Sequence, residues 1–191
     1  MIKKLVVLFA VVILLSGCDA MFSKLFKKPK PEPTSEPAQI YADLRDRILK
    51  VTPQEIGINQ SKEIPNVWGV LMEIGYPEAV VSLVSLADGT TSLYFSNGGG
   101  MIGGGEHPAV AQASKALVAT AEQYFAHMAV TTTFPLPATG RVKFYILTFS
   151  GAFTAESVES ELSKANHNLF PLYAHGQEVI TQFRLMQEQK K

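Results

Sequence analysis

The chain has 191 residues, 47% of them hydrophobic, with 17 basic and 17 acidic side chains and a single cysteine. That content exceeds what a disordered chain carries, and the length suits one domain with or without a tail. The balanced charge lacks the basic surplus of a nucleic-acid binder, so no nucleic-acid partner is expected. One cysteine permits no internal disulfide and no thiolate-rich metal site.

Lys3 and Lys4 precede an uncharged run, Leu5 to Leu15, which ends in Ser16-Gly17-Cys18. A basic start, a short apolar stretch and small residues before a cut site describe an export signal. As a helix the run would reach only about 17 Å, short of the roughly 30 Å hydrocarbon layer. Leu15-Ser16-Gly17-Cys18 resembles the lipobox of bacterial lipoproteins. The resemblance implies that residues 1–17 are removed and that the Cys18 thiol carries a diacylglycerol, with fatty acids such as palmitate. The chain would then be held at the cell membrane with its domain facing the periplasm or the outside. Asp19 resembles the inner-membrane retention signal of enterobacterial lipoproteins. Residues 18–37 read as a neck and tether. Met21 to Lys28 mix large apolar and basic side chains suited to anionic headgroups. Pro29, Pro31, Pro33 and Pro37 then make an extended spacer of about 25–30 Å.

Residues 38–191 read as one α+β domain. Ile40, Tyr41, Leu44, Ile48 and Val51 recur at helical spacing, predicting a helix over about 38–50. Thr52-Pro53-Gln54-Glu55 is a capping box. Alternation from Trp68 to Ile74, a β-rich run from Val80 to Ala87 and a return over Thr90–Ser96 predict a three-strand antiparallel meander, with turns at Gly75–Glu78 and Asp88-Gly89. Val110, Ala113, Leu117, Ala121, Tyr124 and Met128 form one helical face, with Pro108 opening the helix and His107 as its cap. Val130–Phe134 and Arg141–Ser150 are expected to pair as a hairpin. Thr154 is expected to cap a helix through Val158, Leu162, Ala165 and Leu169, and a last helix carries Val179, Ile180 and Phe183. The sum is a single antiparallel sheet of about five strands with helices packed on it, similar in outline to small profilin-like and roadblock-like domains.

Between the meander and the middle helix stands Asn97-Gly98-Gly99-Gly100-Met101-Ile102-Gly103-Gly104-Gly105-Glu106-His107. So many glycines cost entropy unless the backbone needs unusual φ or must approach something closely. Gly98, Gly100 and Gly103 fit a G-x-G-x-x-G spacing, but the preceding strand belongs to a hairpin and not to a parallel βαβ unit, so no dinucleotide cofactor is expected. Two readings stay open: a ligand or partner loop using Asn97, Gly98, Gly100, Gly103, Gly105, Glu106 and His107, or a plain connection. Glu106 and His107 are also the candidate acid–base pair of a hydrolase. The four histidines lie too far apart in sequence pattern to predict a metal site. The expected function is a membrane-anchored lipoprotein presenting a binding domain to an envelope protein. The alternatives are an envelope hydrolase at Glu106 and His107 or a structural lipoprotein without ligand. The oligomeric state is left open.

Overall fold

The computed structural model describes residues 37–189; residues 1–36, including Cys18 and the tether, lie outside the described residues. The elements in order are α1 (Pro37–Lys50), β1 (Val67–Gly75), β2 (Val80–Leu86), β3 (Thr91–Phe95), β4 (Gly100–Met101), α2 (Pro108–Ala121), β5 (Ala129–Thr131), β6 (Arg141–Thr148), β7 (Gly151–Val158), α3 (Glu159–Leu162) and α4 (Phe170–Glu188). Short 3₁₀ turns stand at Gln54–Ile56, Gly104–Glu106 and Phe125–His127. All strands join one antiparallel sheet in the order β4-β3-β2-β1-β6-β7-β5.

β1 is the centre of the molecule, and every residue in it is buried. An antiparallel sheet often leaves one face wet, but here both are covered. On one face α2 and α4 lay Val110, Leu117, Leu172, Val179 and Phe183 against Val70, Met72, Ile74, Phe144 and Ile146. On the other, Tyr41 and Leu44 of α1, with Ile58, cover Leu71, Val84, Leu86, Tyr94, Tyr145 and Leu147. The alternation therefore sorts side chains between two cores from Val70 to Ile74, but a register shift between Val67 and Gly69 turns Trp68, expected on the same face as Val70, to the α1 side.

The α+β class and the meander stand as expected, with seven strands in place of about five. The Asp88-Gly89 turn is one residue wider than the two-residue form. Leu86 N donates to Thr90 O at 2.9 Å, and Gly89 takes φ +97°. Thr52 N donates to Glu55 Oε2 at 2.8 Å, the backward half of the capping box, although only a 3₁₀ turn follows.

Three expectations are corrected. β5 does not form a hairpin with β6; it pairs with β7, Ala129 opposite Thr154 and Thr131 opposite Ala152. The Pro135–Gly140 stretch is tied instead to the end of β1, where Gly140 N donates to Gly75 O at 2.8 Å. Residues 151–158 are a strand, and Thr154 caps nothing. The apolar β6 needs a partner along its second edge, and β7 matches it residue for residue, from Thr148 opposite Gly151 to Arg141 opposite Val158. Of the helix expected beyond Thr154, only Glu159–Leu162 forms. The middle helix ends at Ala121, so Tyr124 and Met128 lie beyond it, one before and one after the Phe125–His127 turn.

Glycines of the 97–107 loop differ in what they do. A Cβ on Gly104 would overlap the Phe183 ring, whereas one on Gly99 would meet open space and only the φ of +85° opposes it. Thermal and urea unfolding should rank them: Gly104→Ala should cost about 1–3 kcal/mol through overpacking, and Gly99→Ala about 1 kcal/mol from the left-handed backbone. Equal, negligible losses would show that Phe183 does not seat on the loop.

Candidate functional site

The glycine loop is a folded piece of structure. Gly98 N donates to Phe95 O at 2.9 Å, Phe95 N to Gly99 O at 3.2 Å, and Gly100 then pairs with Tyr94 as an added edge strand. A Cβ on Gly100 would stand 2.5 Å from Leu93 O, and one on Gly105 would stand 2.5 Å from Gly89 O. Met101 packs at the margin of the helix-side core, while Ile102 projects outward with 70% of its surface exposed. Asn97 is exposed beside the turn.

Glu106 closes the 3₁₀ turn and is exposed; His107 is half-buried. Pro108 occupies the first turn of α2 as expected. His107 stands at the cap position with extended backbone, but its side chain makes no capping bond; Ala111 N reaches the His107 backbone carbonyl at 2.9 Å. The shallow hollow at Glu106 is edged by Asp88, Gly89 and Thr90, and His107 does not line it. The structure therefore does not bring Glu106 and His107 together with further polar groups in a cleft. Among the described residues no three metal-ligating side chains cluster, and no helix is long and apolar enough to cross a membrane.

An apolar groove of about 290 Å³ does open beside the loop, between α1 and the edge formed by β3 and β4. Ile40 and Leu44 of α1 form one wall, Tyr94, Gly100 and Ile102 the other, with Tyr41 between. Ile40, in the first turn of α1, is 48% exposed. Together with Ile102 it gives the groove an exposed apolar rim.

Beneath the groove lies a polar network that the sequence pattern did not single out. Glu73, fully buried in β1, receives Arg45 Nε at 2.7 Å on one carboxylate oxygen and Arg45 Nη2 at 2.8 Å on the other. Ser82 Oγ donates to Glu73 Oε1 at 2.7 Å, and Tyr41 Oη lies 2.9 Å from Ser82 Oγ. Arg45 Nη2 also donates to Phe134 O at 2.8 Å, and Tyr145 Oη to Pro135 O at 2.6 Å. The network thus holds α1 and the Phe134-Pro135 segment to the centre of the sheet. Burial opposes the Arg45 charge, but the hydrogen bonds and attraction from Glu73 outweigh it and raise the guanidinium pKa. Burial raises the Tyr41 phenol, which the Ser82 bond offsets only in part. Burial, aided by the Glu73 charge, pushes the Tyr145 phenol up to about 12. Within the sequence the one signal was a carboxylate, Glu73, in an otherwise apolar strand.

No protein-family model matches this sequence, and no curated protein or solved structure is significantly similar to it.

Breaking the network should be costly. Arg45→Met leaves a buried carboxylate unpaired and should lose about 3–5 kcal/mol, while Arg45→Met with Glu73→Leu should recover most of it; urea denaturation of the three proteins checks this, and a harmless Arg45→Met would mean Glu73 has another partner. An alkaline limit follows from the phenols. Tyr145 and Tyr173 are both pushed up to about 12, mainly by burial, with Glu73 and Glu159 respectively adding to it. In the unfolded chain a phenol ionises near ~10, so the unfolded state loses these protons first as pH rises. The stability they contribute is whole below about pH 10 and declines toward about pH 12. Stepped-pH urea melts should show that decline, less steep in Tyr145→Phe.

Proposed function

We propose that this chain is a bacterial lipoprotein, anchored through lipid on Cys18, that presents the groove between α1 and the glycine loop to another envelope protein. The observation that carries the reading is the exposed pair Ile40 and Ile102 on the two walls of an apolar groove. Exposed apolar surface at the rim of a groove marks a contact surface, and a groove without convergent polar side chains offers little for chemistry. The lipobox-like Leu15–Cys18, the basic-apolar neck and the proline spacer support a domain held off a membrane surface. On the same resemblance the domain faces the periplasm, with Asp19 favouring the inner membrane.

In this reading the glycines serve a shape. Gly100 lets β4 lie against β3, and the turn through Gly104 docks on α4, which leaves Ile102 standing outward between two anchored ends. The rim is consequently rigid and costs little further entropy on binding. A hydrolase at Glu106 and His107 has less in its favour, since Glu106 is exposed and His107 lies outside the hollow beside it.

Two experiments test the two halves separately. Cys18→Ala should accumulate uncut precursor and lose incorporation of labelled fatty acid; normal incorporation would end the anchoring claim. In-cell crosslinking of the full chain should capture a near-stoichiometric envelope protein, and Ile102→Glu should remove it while moving the thermal midpoint little, since surface changes are usually within about 0.5 kcal/mol. Capture unaffected by Ile102→Glu would place the partner surface elsewhere.

A further inference from the structure

The two outer edges of the sheet are closed unequally. At one end β4 is two residues long, and the Gly104–Glu106 turn lies against Gly89 and Thr90 beside it. At the other end β5 spans only three residues and covers Ala152–Thr154 of β7. β7 continues to Val158, paired with β6 throughout, yet no described strand runs beside Ala155–Val158. An unpaired run of backbone N–H and C=O groups is a template for another strand.

Both faces of that edge carry a hollow where alternate side chains of an added strand would point. On the helix side a cavity of about 420 Å³ is lined by Tyr124, Met128, Ala155 and Leu169, together with Gln123, His127 and Asn168. On the α1 side a smaller one, about 240 Å³, is lined by Thr131, Thr133, Lys143 and Glu156. There Glu156 is paired with both Arg141 and Lys143, at 2.8 Å from Lys143 Nζ. Two cations against one carboxylate leave this strip with a net positive charge, and Lys143, whose side chain is only 12% exposed, is fixed in place.

We propose that the Ala155–Val158 edge of β7 accepts an extended peptide from a partner, one that alternates apolar side chains on the helix side with acidic ones on the α1 side. Main-chain hydrogen bonds to the edge give affinity, and the two hollows read the alternation. Segments of this chain outside the described residues fit badly. The stretch holding Pro29, Pro31 and Pro33 lacks alternate N–H donors, and the neck would bring Lys24, Lys27 and Lys28 to a strip already cationic. A second copy would face the same strip with the same charge.

The test uses the full chain in detergent micelles and an end-blocked hexapeptide of alternating Glu and Leu as the probe. Hydrogen–deuterium exchange read by mass spectrometry should slow over Ala155–Val158 by about tenfold or more at saturation. A probe N-methylated at every second residue, which keeps its side chains but loses the edge-facing donors, should give no slowing. Lys143→Gln should weaken the probe by about two- to fivefold, the worth of one partly exposed charge pair. Equal slowing by the N-methylated probe, no slowing at all, or slowing confined to the α1 groove would each overturn the proposal. Slowing that grows with protein concentration and needs no peptide would assign the edge to self-association instead.

Discussion

A carboxylate buried at the middle of the central strand is the constraint around which this fold is arranged. Glu73 is out of water on both sides of the sheet, and an isolated charge there would cost several kcal/mol. Arg45 answers it with two parallel N–H bonds, the geometry in which a guanidinium pairs best with a carboxylate. Since Arg45 comes from α1, the first helix cannot slide along the sheet without unpairing a buried charge. Apolar contact alone, spread over Leu44, Ile48 and Leu49, would tolerate such sliding. Arg45 further holds the Phe134 carbonyl, so the connection into β6 is tied to the same point. One ion pair thus fixes the register between a helix, a strand and a loop.

Glu73 also belongs to a row. The pairings place Glu156, Lys143, Glu73, Ser82, Tyr94 and Gly100 side by side across β7, β6, β1, β2, β3 and β4. All stand on the α1 face, and charges of opposite sign alternate along the first three. Such neighbours stabilise a sheet where like charges would split it. At the far end the row runs out in Gly100, where a side chain would strike the Leu93 carbonyl. The groove begins there because the row ends there.

What the sequence revealed follows the range of the interactions involved. Periodicity is local, so α1, the meander and the start of α2 at Pro108 were legible from residues a few places apart. The stretch from Thr154 to Leu169 has helical spacing too, but β6 offers 151–158 a full ladder of hydrogen bonds that no local pattern announces. Tertiary pairing overrode propensity there, and it also drew β5 away from β6 to β7. The Arg45–Glu73 pair joins residues with no sequence relation, one on a helix and one on a strand, so only Glu73's oddity among apolar neighbours hinted at it. For the glycine loop, composition showed that something unusual was needed. It could not separate a ligand cradle from close packing, because both ask for a missing Cβ. The Phe183 ring against Gly104 and the Gly89 carbonyl against Gly105 decide for packing at those two positions.

The same arrangement bears on whether the groove and the β7 edge act together. From β4 to β7 the sheet steps through five strand spacings, about 24 Å at roughly 4.8 Å each. α1 lies over the sheet between the two, pinned by Arg45 at β1 and by Tyr41 at β2. A ligand running continuously from one to the other would have to displace α1 and leave Glu73 without its partner. Breaking that pair costs about 3–5 kcal/mol, which would come out of the binding free energy of such a ligand and weaken it by about two to three and a half decades. A ligand confined to one surface leaves the Arg45–Glu73 pair intact and avoids that cost.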